Sequence, residues 1–186
     1  MGKTTSAVHT AAVAAARGYE AVVLDADDEH SASRWAEAAA NRGIELPFQT
    51  LRAEPLRLAA QAKELSCSKV VIIDTPPNQR DLLMQAAGIS DACIVPVSPT
   101  ALDTDRLAST LTLLGSLEAI KPELNVSILI TRLNRSERSA REIYETLRVY
   151  PILEHHIRDL VRYKDSFGTA PGFLEEYDAV WKELHA

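Results

Sequence analysis

The chain has little sulfur, few aromatics and no long apolar run. Its only cysteines, Cys67 and Cys93, stand far apart, beside or within apolar stretches. That excludes a disulfide framework and argues against a cysteine metal pair; both read as reduced structural thiols of a cytoplasmic protein. No apolar run approaches the ~18 residues of a membrane span, and no signal-peptide pattern opens the sequence. Aromatics make up 5% of the residues and are not interleaved with basic residues, so no single-strand stacking platform is visible. There is no surplus of basic charge either. A net charge of −6 excludes indiscriminate nucleic-acid binding by the whole surface. His155 and His156 are adjacent, point in different directions and have no third ligand nearby, so they do not make a metal site. Repeats, low-complexity tracts and linkers are absent. What remains is ordinary globular composition over 186 residues, the size of one domain with a sizeable core.

Apolar patterning divides that domain into alternating elements. Thr5 to Arg17 is alanine-rich and free of Gly and Pro until Gly18, which predicts a helix with a glycine stop. Ala21-Val22-Val23-Leu24 is a short continuous apolar run, the pattern of a buried parallel strand. Helices are predicted over Ser31–Arg42, Pro55–Leu65, Gln79–Ala87 and Thr100–Leu117, with another opening at Ser136 and reaching about Tyr150. Strands are predicted at Pro47–Leu51, Lys69–Asp74, Ala92–Val97 and Val126–Ile130. Pro151 to Leu153 reads as short and extended, and two helical pieces close the chain around Gly168 to Gly172. Trp35 and Trp181 lie on helical stretches as packing residues. Alternation of this kind implies an α/β fold, a mostly parallel sheet with helices on both faces.

Three places carry chemistry. Met1-Gly2-Lys3-Thr4-Thr5 opens a helix and has the second half of a phosphate-binding loop. The glycine allows close backbone approach, the lysine brings one charge to the β- and γ-phosphates, and the hydroxyl that follows can ligate Mg²⁺. The helix N-terminus completes the anion site with free N–H groups and its dipole. Asp74 follows four apolar strand residues and is placed to support Mg²⁺ through water. Asp25 and Asp27 stand two apart after an earlier strand, where one could orient the attacking water and the other support the metal.

Together these motifs resemble the ParA/MinD family of deviant Walker ATPases, most of all the small ParA proteins without an N-terminal DNA-binding domain. Gly2 to Thr5 match the end of the family's Lys-Gly-Gly-x-Gly-Lys-Thr-Thr motif, with Met1 at the free position. Asp25-Ala26-Asp27 matches Asp-x-Asp-Pro-Gln, although Asp28-Glu29 replaces Pro-Gln. Asp74-Thr75-Pro76-Pro77 and Ile94-Val95-Pro96-Val97-Ser98-Pro99 with Leu102-Asp103 complete an ordered set over nearly the whole chain. The resemblance implies a P-loop ATPase that uses ATP and Mg²⁺, with Lys3 on the phosphates, Thr4 on the metal, Asp27 positioning water and Asp74 supporting the metal. Gly2 and Thr5 would share in nucleotide binding, Asp25 would be a weaker metal support, and Asn134 would contact the adenine edge. It also implies a nucleotide-dependent homodimer, non-specific DNA binding and a ParB-like, centromere-binding partner that stimulates hydrolysis. The family's signature lysine and the central strand before the loop have no counterpart. The expectation is therefore that Met1 is internal to a longer natural chain.

The charge is uneven. Arg132, Arg135, Arg138, Arg141, Arg148, Arg158, Arg162 and Lys164 outnumber five acids between Thr131 and Lys164, whereas the remainder has twelve basic and twenty-one acidic residues. This is either a solvated helix with i,i+4 pairs such as Arg138–Glu142, or a phosphate-binding face whose affinity falls with salt. Two other readings compete with partition of plasmid or chromosomal DNA by a cytoplasmic, nucleoid-associated ATPase. A MinD-like membrane cycle is opposed by the acidic Glu175-Glu176-Tyr177-Asp178 segment, because such proteins use a basic amphipathic helix. A degenerate module that only binds a partner would lack nucleotide affinity.

Overall fold

The computed structural model describes residues 2–77, 79–99, 101–118, 120–133, 143–145, 147–148 and 150–186, without the side chains of 101–106, 108 and 118. The expected adenine contact Asn134, the Met1 position, Arg135, Arg138, Arg141 and the start of the helix expected at Ser136 lie outside the described residues.

The alanine-rich opening forms helix α1 (Lys3–Ala16), and Gly18 follows it at φ 86°, a conformation open to glycine. Strand β1 (Ala21–Asp25) is buried along its whole length. Helix α2 (Ser31–Asn41) leads to edge strand β2 (Gln49–Arg52), which is mostly exposed. A 3₁₀ turn at Pro55–Arg57 introduces α3 (Leu58–Ser66), and β3 (Val70–Asp74) ends on its carboxylate. Then come α4 (Arg80–Ile89), β4 (Ala92–Val97), α5 (Ala101–Glu118) and β5 (Asn125–Ile130). Short α6 (Val161–Lys164) and α7 (Glu175–Leu184) close the described chain.

All strand pairing is parallel, but it forms two sheets where one was expected. One has the order β2-β1-β3 and the other pairs β4 with β5. Past β5, bridges Ile128–Ile152 and Leu133–Arg158 add the returning chain to the second sheet. Among the described residues β3 pairs only with β1, and β4 only with β5, so two edges face a seam. The residues there report it: Val70 to Ile73 and Cys93 to Pro96 are apolar yet only half-buried, unlike those of β1. Backbone direction alternates along a strand. Because Asp74 O accepts from Ala26 N, and Val97 O from Thr131 N, the groups of Val71, Ile73, Ala92 and Ile94 point into the seam. Pro96 is tolerated in mid-strand because its missing N–H falls on that side.

Side chains close what the backbone leaves open. On one face α1 packs against Val23 of β1, Val70 and Ile72 of β3, Ile94 of β4 and Leu129 of β5, with Trp35, Tyr177 and Trp181 in the same cluster. On the other, α4 spans both halves: Leu82 and Ala86 meet Leu24, Val71 and Ile73, while Leu83 and Ala87 meet Cys93, Val95 and Leu114. Both tryptophans are packing residues, as expected. The cysteines are both free; Cys67 is exposed and Cys93 half-buried in an apolar setting, where desolvation pushes its pKa up to about 11.

Inside the first face lies His9, 2% exposed. Its ring stacks on Tyr177 at 4.9 Å and meets Trp35 and Tyr163 edge-on. A carbonyl cannot donate, so the 2.8 Å contact between Nδ1 and Thr5 O places the proton on Nδ1. Burial pushes this imidazole down to about 4.

Candidate nucleotide site

The carboxyl ends of both sheets converge on the N-terminus of α1. Gly2 sits there at φ 148°, ψ 8°, a region that side chains rarely adopt. Its open side faces Thr131 beyond β5, so that an added Cβ would lie 3.4 Å from the Thr131 hydroxyl. Ser6 N bonds Gly2 O at 2.8 Å and starts the helix. The amides of the first turn are left for an anion.

Lys3 is half-buried on that turn. Desolvation lowers its pKa, opposed by the negative charges of Asp74 and Asp27, so both carboxylates lie within electrostatic reach of the ammonium. The Thr4 hydroxyl lies beside Asp74 and favours its ionised form. Asp74 is 2% exposed. Burial, assisted by the charges of Asp25 and Asp27, pushes it up to about 6 against the pull of Thr4 and Lys3. Its Oδ2 is buried and has no hydrogen-bond partner in the protein.

Asp25 is opposite Asp74 in the register of β1 and β3, yet it has a different part from the metal support expected of it. Its Oδ2 accepts from Ser33 N at 2.8 Å and Ser33 Oγ at 2.7 Å, and its Oδ1 from Asp27 N at 3.3 Å. Oδ2 thereby fixes the start of α2, whose own N-cap residue His30 supplies no side-chain cap, and Oδ1 holds the loop after β1. Asp27 accepts from Glu29 N at 2.9 Å in an Asx turn and remains beside Lys3. Asp28, where the family motif has proline, accepts from Gln79 at 2.7 Å and ties the loop after β1 to the loop after β3. Lys3, Thr4, Asp27 and Asp74 are therefore together; Asp25 stands behind them.

These donors fit Mg²⁺ bound with a triphosphate. No cluster of three or more His, Cys, Asp or Glu side chains among the described residues could hold a metal alone. Magnesium typically takes one or two protein oxygens and completes its shell with water and phosphate, which matches one hydroxyl beside one orphaned carboxylate oxygen.

A cleft continues from Gly2 and Thr5 between Arg132 and the segment carrying Leu160, Tyr163 and Lys164, with Tyr177 behind. Arg132 adopts φ 55° at its rim. The expected basic face is reduced here. Arg158 pairs with Glu176, Lys164 with Asp159 at 3.0 Å, and Arg162 lies 4.0 Å over the Phe173 ring. Sequence reasoning missed Glu176, reading it as part of an acidic tail. It accepts from Arg158 N, Arg158 Nε and the Tyr163 hydroxyl. Its place in the first turn of α7, where a helix dipole favours acids, was the available signal.

Parallel strands, a helix N-terminus at their carboxyl ends and a lysine, hydroxyl and carboxylate around it define a ParA/MinD-type P-loop ATPase fold. The VirC1 protein family model matches residues 1–169, and the chain belongs to that family. Maintenance of carboxysome distribution protein A from Gloeobacter kilaueensis is 34% identical over 164 residues, covering 85% of this chain and 71% of the relative. Among solved structures, the MinD cell division protein of Aquifex aeolicus superposes with a TM-score of 0.75 at 15% identity, covering 100% of this chain and 92% of MinD. A plasmid partition protein of Borrelia burgdorferi bound to AMPPNP gives 0.71 at 18% identity, covering 99% and 92%. Among the described residues no helix is long and apolar enough to cross a membrane.

Proposed function

We propose that this chain is the ATP-driven switch of a positioning system. It binds Mg·ATP at the start of α1 and dimerises on it. The dimer associates non-specifically with DNA through the Arg132–Lys164 region. A ParB-like, centromere-binding partner stimulates hydrolysis, so that plasmid or chromosomal DNA is segregated at the nucleoid in the cytoplasm. The observation that carries this reading is the buried Asp74 Oδ2, left without a partner beside Lys3 and Thr4. Lys3 neutralises phosphate charge, Thr4 and Asp74 hold the metal, Asp27 orients the attacking water, and Gly2 and Thr5 line the phosphate path. Mg²⁺, when bound, would be held by Thr4 and Asp74 and would supply electrostatic stabilisation of the charge on the phosphates. Since Arg158 and Lys164 have acidic partners, the described DNA contacts reduce to Arg132, Arg148 and Arg162. Asn134 at the adenine edge stays part of the proposal.

The reading includes one further strand. A parallel strand in the seam, leading into Gly2 and carrying the first half of the phosphate loop, would satisfy the backbone of Val71, Ile73, Ala92 and Ile94. The half-buried apolar side chains along both edges support it. The relative named for carboxysome distribution favours a second cargo, a protein body moved by the same cycle.

Calorimetric titration of Mg·ATP into this chain, and into a form extended upstream from its gene, tests the proposal. Binding is expected from the extended form. Failure of both forms would leave the fold without its enzymatic function and favour a partner-binding module.

A further inference from the structure

We infer that Glu176 is a positioning residue that sets how tightly the site holds the nucleoside end of its nucleotide; the inference rests on the ATP-binding reading above. Glu176 does not line the cleft. It acts through two groups that do, Arg158 and Tyr163, which lie on the wall facing Gly2 and Thr5. The backbone N–H and guanidinium of Arg158 and the hydroxyl of Tyr163, 3.0 Å away, all donate to one carboxylate. That side chain is 13% exposed, whereas the Arg158 side chain is 35% exposed, so its carboxylate gathers these charge-assisted bonds at the edge of solvent. Without them the segment 158–164 is held mainly by the Leu133–Arg158 bridge and the contacts of Tyr163 with His9, Phe173 and Tyr177.

The next residues of α7 join this wall to the phosphate end. Tyr177 lines the cleft, shares a 3.2 Å hydrogen bond with Ser6 and stacks on His9. One helical turn therefore grips both sides of the cleft: Tyr177 holds the first turn of α1, and Glu176 the opposite segment. With phosphates on α1, the space open to the rest of the nucleotide is the cleft along the 158–164 wall. Loosening Glu176 should weaken binding of the nucleoside end and leave phosphate binding unchanged.

The test compares Mg·ATP with Mg·tripolyphosphate, which lacks the nucleoside, in whichever form of the chain binds Mg·ATP. Glu176→Gln is expected to weaken Mg·ATP by about tenfold, the scale of one charged hydrogen bond, and to leave tripolyphosphate within about twofold. Tyr163→Phe, which removes one of the three donors, should give a smaller loss of the same kind. Asp178→Asn is the structural control. Asp178 pairs with Arg17 and Lys182 away from the cleft, so this variant should lower the melting temperature without moving the ratio of the two affinities. Equal weakening of both ligands by Glu176→Gln, or no weakening, overturns the positioning role. Failure of the parent to bind either ligand overturns the ATP-binding reading, and this inference with it.

Discussion

His9 should withdraw stability from this protein on acidification, against an opposite contribution from Asp74, and the size of the His9 share follows from its surroundings. The ring is enclosed by Trp35, Tyr163 and Tyr177 and donates to Thr5 O. It stays neutral in the fold down to about 4, against 6.5 for a free imidazole. Between those values the unfolded chain takes up a proton that the folded chain refuses. Stability is full above about pH 6.5 and falls as pH drops toward 4. Lowering the pH from about 7 to about 5 should cost roughly 2 kcal/mol through this one group, and a further ~1 kcal/mol by pH 4. For a chain of this length that is about 4–8 °C in melting temperature on reaching pH 5. The assay is thermal unfolding by circular dichroism at several pH values, on the parent and on His9→Phe. Phenylalanine fills the aromatic site but cannot titrate. It loses the bond to Thr5 and should start from a lower stability at pH 7, but its pH slope should be flatter by the amount above. Equal slopes in parent and variant would refute the reasoning.

Asp74→Asn should raise stability above pH 6 while abolishing Mg-dependent nucleotide binding. The folded carboxyl titrates near 6 rather than 3.8, so ionisation costs up to about 3 kcal/mol that the amide avoids, and the advantage should vanish near pH 4; pH-resolved melting reads it. Lys3→Ala should remove Mg·ATP binding in calorimetry with little change in urea unfolding, since its half-buried ammonium is already opposed by desolvation. Ser33→Ala deletes the 2.7 Å bond to Asp25 and should cost about 1–3 kcal/mol in urea denaturation. Gly168→Ala combines φ 69° with a Cβ placed 2.8 Å from that of Ala38, and should cost about 1–3 kcal/mol by the same measurement.

Much of the fold was legible because its elements speak locally. Four apolar residues before Asp74 read as a strand, and an alanine run ending at Gly18 read as a helix. The edge strand was displaced, from an expected Pro47–Leu51 to Gln49–Arg52, since Phe48 is buried just before it. Lys3, Thr4, Asp27 and Asp74 were legible as a set because each lies at the end of a recognisable element. The part of Asp25 was not, because its partner Ser33 comes eight residues later and the same aspartate would suit a metal equally well. Glu176 escaped for the same reason at longer range: its partners Arg158 and Tyr163 belong to a segment with little periodic signal. The division into two sheets was not legible, because the way α1 and α4 together hold the halves is encoded by no single stretch.

The lateral pairing of Asp25 with Asp74 has a consequence for how this chain can vary. Along β3, Val70 and Ile72 face α1 while Val71 and Ile73 face α3 and α4. Asp74 has the even parity of the first pair, which is why it reaches Thr4 and Lys3. Removing one residue from Val70–Ile73 would invert that parity and turn the carboxylate toward the opposite layer. Both layers would still receive interchangeable β-branched side chains, so the strand itself would register almost no insult. A single deletion there would leave an apparently healthy fold with a silent site, and only its failure to answer magnesium would betray the loss.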